Sequence, residues 1–169
     1  MMQNSRPRIN VPYQQIDIVI ELISITILLL MFVYTGIEYA NLPDTIPTHF
    51  NAQGIADDFG SKMTIWLVPI IAIVLYLGLF AINKFPHLHN YMVNITDENA
   101  LKNYRFSSRI LRIINLLCAI LMAYVTYYII HSANGHSMSL GSYFLPIVIG
   151  ISILLPIILF VYMKKLNQD

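Results

Sequence analysis

Between two long apolar runs lies the segment NLPDTIPTHFNAQGIADDFGSK, residues 41–62, which carries one histidine, three aspartates and one lysine. His49 offers a nitrogen acceptor, Asp57 an anion and Lys62 a cation, a combination suited to ligand recognition. Asn51 and Gly54 complete this motif as turn formers. Metal chemistry is the sharper alternative. His49, Asp57, Glu38 and His131, with His136 further on, all have ligand chemistry for a transition metal. No His-x-x-x-His or His-Glu-x-x-His spacing joins them, so such a site would have to be assembled from separate loops. Catalysis requires a nucleophile and a base placed together; the sequence pairs none, and neither a catalytic residue nor a cofactor is expected.

A second charged group has a different character. Asp17 and Glu21 are four residues apart, on one face of any helix that contains them. Acids inside an apolar helix need a partner, and Arg109 and Arg112 are the basic residues expected at the same depth. The plain reading is a structural ion-pair cluster. A proton or ion pathway would need further acids, and only Glu38 follows, near the other end of the run. His87 and His89, two apart after Pro86, could share a metal on an extended segment; the plain reading is a pair of interfacial polar residues.

Composition sets the frame for these groups. Of the 169 residues, 57% are hydrophobic and 11% charged, against about 25% charged in soluble domains. Four apolar runs, at residues 18–38, 64–82, 110–130 and 143–163, approach or exceed the roughly 20 residues a helix needs to span a bilayer. Lipid leaves backbone groups no partner except within helices or closed barrels, so the expected fold is all-α: one polytopic membrane domain over residues 1–169. The net charge of +1 gives no footprint for nucleic acid, and the single cysteine, Cys118, lies within a run and cannot staple loops. The lipid bilayer is the first partner.

Orientation follows from lysine and arginine, which favour the cytoplasmic side. Arg6 and Arg8 precede the first run, Lys84, Lys102, Arg105 and Arg109 lie in the connection 83–109, and Lys164 and Lys165 end the chain; Lys62 is the exception. Both termini are therefore expected in the cytoplasm and the segment 41–62 outside, as a structured extracytoplasmic loop. Pro43 and Pro47 keep that loop extended, and Asn51 to Gly54 reads as a turn. Thr96, followed by Asp97 and Glu98, reads as an N-cap, so the third helix is expected to begin near Asp97 and to project from the membrane.

Leu42, Pro43, Asp44, Ile46, Pro47, His49, Asn51, Gly54, Asp57, Ser61 and Lys62 together resemble the signature of a bacterial membrane domain of unknown function. That domain is found at the N-terminus of SdpI-type proteins, the immunity and signalling proteins of the sporulation-delay toxin system. The segment from Phe85 to Asn115 is similar to shorter members. No counterpart of the Gly-x-Arg-Thr segment of the longer proteins is present. The resemblance implies a non-enzymatic, multi-pass protein of the bacterial plasma membrane that recognises a peptide toxin or an envelope signal, with a membrane or cytosolic signalling partner. The alternative is a small transporter or a metal-dependent membrane enzyme using the polar outer loop.

Overall fold

The computed structural model describes residues 6–136 and 139–168. Among them are four helices, each long and apolar enough to cross a membrane: α1 (Gln15–Tyr39), α2 (Leu67–Asn83, entered through a 3-10 turn at Lys62–Trp66), α3 (Ala100–Ala133) and α4 (Phe144–Leu166). Between α1 and α2 lie two antiparallel strands, β1 (Thr45–Phe50) and β2 (Ala56–Ser61). The all-α expectation is corrected there. A loop held extended by two prolines and reversed at Asn51–Gly54 has the ingredients of a hairpin, and its backbone groups pair across it instead of with solvent.

The helices α1, α2 and α3 form the packed body. On α1 the buried residues are Asp17, Ile20, Glu21, Ser24, Leu28, Met31 and Thr35, and on α3 they include Ser108, Arg112, Asn115, Ala119 and Thr126. Steps of three and four residues keep such positions on one face. Small residues allow close approach of the backbones. The hydroxyls of Ser24, Thr35 and Thr126 donate to carbonyls one turn back, at 2.8–2.9 Å, and so add no unpaired group to the seam. Leu28, Met31, Ala72, Tyr76 and Ala119 fill the middle.

Two helices depart from expectation. The 34 residues of α3 extend about 50 Å at 1.5 Å per residue, well beyond a hydrocarbon core of about 30 Å, as a projecting helix requires. It starts at Ala100 and not near Asp97. Asn99 Oδ1 accepts from the Thr96 N–H at 3.0 Å and its amide donates to the Asn94 carbonyl at 2.9 Å, which closes a turn ahead of the helix. The fourth helix, α4, has no buried residue. It meets α3 near both ends, through Phe106 and Tyr162 (4.9 Å between rings) and through Tyr124 and Phe144 (5.6 Å).

Candidate functional site

The hairpin is built from its turn. Asn51 Oδ1 accepts from the N–H groups of Gln53 and Ile55, both at 3.0 Å, while Gly54 N–H donates to the Asn51 carbonyl at 2.8 Å. Gly54 has φ of 75°, a left-handed conformation that a side chain disfavours. The tip is also docked: Leu140 N–H donates to the Gly54 carbonyl at 2.8 Å, and a Cβ on Gly54 would lie 2.7 Å from the Gly141 nitrogen.

One side of the hairpin is anchored. Ile46 on β1 is buried with Leu42, Ile65, Ile129 and Ile130 at the adjoining ends of the helices. Lys62 belongs to this base. Its ammonium lies 3.2 Å from Asp44, donates to the Leu42 carbonyl at 3.4 Å and sits 5.7 Å from the Tyr39 ring centre.

The other side is open. Pairing runs from Pro47 with Phe59 to His49 with Asp58 and then Phe50 with Ala56, so Thr48 and Asp57 are each bulged out of register. Bulges re-aim side chains, and here Asp57 stands beside His49. His49 Nδ1 donates to Asp57 Oδ1 at 2.6 Å, with 66% and 43% of the two side chains exposed. The carboxylate accepts the hydrogen bond of Nδ1, and Nε2 is left for another partner. Among the described residues no serine, threonine or cysteine hydrogen-bonds to that nitrogen. Ile55 before β2, Phe59 on it and Met63 just after it are exposed. Of the sequence-derived motif, then, His49 and Asp57 come together on the open face, Asn51 and Gly54 shape the turn, and Lys62 lies at the base.

The weak metal candidates scatter. Among the described residues no three His, Cys, Asp or Glu side chains gather as a metal site. His49 and Asp57 stay on the hairpin, whereas His131 packs against Tyr127, the rings tilted by 32° with centres 3.9 Å apart, at the end of α3.

At the opposite end of the bundle the four charged residues do meet. Arg109 Nε donates to Asp17 Oδ1 at 2.8 Å, and Arg112 lies 3.9 Å from Asp17 and 3.2 Å from Glu21. Tyr76 donates to Glu21 Oε2 at 2.6 Å, Arg112 lies over the Tyr13 ring at 4.2 Å, and Gln14 accepts from Arg109. Two acids offset two bases. Around Tyr76 the packing is apolar, through Leu28, Met31, Ala72 and Ala119, and among the described residues no further buried acid or arginine lies on the helices. Sequence reasoning missed Tyr76, Gln14 and Tyr13; a tyrosine hydroxyl deep in an otherwise apolar second run was the available signal.

Next to that cluster, Arg6 donates to the carbonyls of His87 at 3.2 Å and His89 at 2.6 Å, tying the N-terminal segment to the connection before α3. His89 is buried, with Nε2 3.2 Å from the Ile82 carbonyl and Nδ1 2.8 Å from the Ser107 hydroxyl. Both ring nitrogens are occupied, and burial holds its pKa below the usual histidine value. His87 and His89 thus form no metal pair.

Residues 26–73 match the family described as "Domain of unknown function (DUF1648)". That stretch takes in most of α1, the whole hairpin and the first part of α2. A protein of Archaeoglobus fulgidus described as "Uncharacterized protein" is 31% identical over 105 residues, covering 56% of this chain and 57% of that protein. The chain therefore spans little more than half the length of this relative. No solved structure matches. With four helices apolar enough to cross a membrane, the family match suggests a membrane protein of unknown function; neither match extends to the SdpI-type proteins named by resemblance.

Proposed function

We propose that this is a non-enzymatic, multi-pass protein of the bacterial plasma membrane whose hairpin recognises an extended peptide, either a toxin or an envelope signal. The observation that carries the reading is the open side of β2. The sheet has two strands among the described residues, so β2 keeps an unpaired edge, and an unpaired edge is a template for an added strand. The His49–Asp57 pair beside the bulge adds a polar contact, and Ile55 and Phe59 add apolar ones. The resemblance of residues 42–62 to the SdpI-type signature supports immunity or signalling as the setting. The bias of lysine and arginine toward the other end supports an outward-facing hairpin with both termini in the cytoplasm.

The test is a challenge of cells lacking the protein with envelope-active peptides. Loss of resistance or response is expected, restored by the wild-type chain but not by Phe59→Asp or His49→Ala at equal membrane abundance. Full restoration by both variants would remove recognition from the hairpin. Single cysteines replacing Gln53 and Glu98 in a Cys118→Ala background test the orientation: an impermeant thiol reagent should label the first in intact cells and not the second.

A further inference from the structure

The last turn of α3 ends in His131-Ser-Ala-Asn-Gly-His136. Gly135 takes φ of 79°, His136 N–H donates to the His131 carbonyl at 3.3 Å and Gly135 N–H to the Ser132 carbonyl at 3.2 Å. This is a Schellman-type stop, in which the second residue past the cap folds back onto the residue three before it in the helix. Usually two apolar side chains meet there. Here two imidazoles do, with ring centres 5.5 Å apart.

Their hydrogen bonds arrange them alike. His131 Nδ1 has the Tyr127 carbonyl at 3.0 Å, nearer than the Tyr34 hydroxyl at 3.3 Å, and His136 Nδ1 has the His131 carbonyl at 3.3 Å. A carbonyl accepts only, so each Nδ1 is the donor, and Nε2 is the nitrogen left to coordinate in the neutral ring. That is how metal-binding histidines are commonly held, with the other nitrogen donating to a backbone carbonyl. Ligating nitrogens sit about 2.0–2.1 Å from Zn²⁺, which puts the centres of two imidazoles sharing a tetrahedral ion roughly 5 Å apart.

From this arrangement we infer that His131 and His136 form a two-imidazole site for a divalent ion of the Zn²⁺ or Ni²⁺ type, which neutral imidazole suits. Among the described residues no third His, Cys, Asp or Glu joins the pair, so the two imidazoles would be the protein's ligands to the ion. The ion would clamp the C-terminal stop of α3. This site is separate from the His49–Asp57 pair, and the inference does not depend on peptide recognition.

The full chain, purified in detergent with a histidine-free tag, should be titrated with Zn²⁺ and with Ni²⁺ by calorimetry. One saturable equivalent per chain is expected, lost in His131→Ala and in His136→Ala and retained in His49→Ala. Gly135→Val, which opposes the left-handed turn, should weaken it. Should His131→Ala fold poorly, the exposed His136 still decides through His136→Ala. The absence of a saturable equivalent in the wild type, its survival in His136→Ala, or its loss in His49→Ala would each overturn the site.

Discussion

At the hairpin end His49 and Asp57 meet in the open, with side chains 66% and 43% exposed, whereas at the other end Asp17 and Arg112 face each other at 3% and 7%. An exposed pair contributes about 0–1 kcal/mol because water and salt screen it. Removing one partner of a buried pair costs about 3–5 kcal/mol, since the charge left behind has no substitute for water. The same chemical pairing of acid and base thus has two meanings. Loss of a partner is therefore expected to cost much in the buried cluster that joins α1 to α3 and little in the exposed pair.

The comparison is most severely tested at Arg112. Replacing it with alanine leaves Glu21 without its cation, and stability in detergent should fall by about 3–5 kcal/mol. Glu21→Arg should be comparably harmful, and pairing it with Arg112→Glu should recover part of the loss. If Arg112→Ala melts like the wild type, the buried cluster is no more structural than the exposed pair.

Gly54→Val comes next, because it opposes a left-handed backbone and meets the Gly141 nitrogen. A loss of about 2 kcal/mol or more is expected, visible as reduced folded protein. It would show that the hairpin's shape rests on its turn and not on its charges.

A smaller effect is predicted at His89. Its folded pKa is lowered by burial from the ordinary 6.5, so the unfolded chain binds the proton more tightly. Stability should be intact above pH 6.5, decline as pH falls below it, and level off below the lowered folded value. Thermal unfolding across this range would record the decline, and His89→Gln should flatten it. A wild-type profile already flat would mean that His89 gains a proton without losing its contacts.

Least of all should be felt at His49. His49→Ala is expected to change stability by no more than about 0.5–1 kcal/mol while abolishing the response to peptide. A loss as large as that of Arg112→Ala would turn the open face into a structural element.

Apolar runs were enough to read four helices able to span a membrane, because span length and solvation in lipid depend on local composition. The turn at Asn51–Gly54 and the grouping of Asp17, Glu21, Arg109 and Arg112 were legible for similar reasons: turn chemistry and helical spacing are local. The hairpin was not, since its strands are short and bulged and contain two aspartates and a proline that strand patterns disfavour. Nor could local pattern reveal that Lys62 turns to Asp44 and Tyr39, that Tyr76 serves Glu21, or that α4 stays outside the packed body. Partners distant in the chain are chosen by how the helices pack, and only the tertiary structure decides which polar groups are driven to meet and which are left facing water.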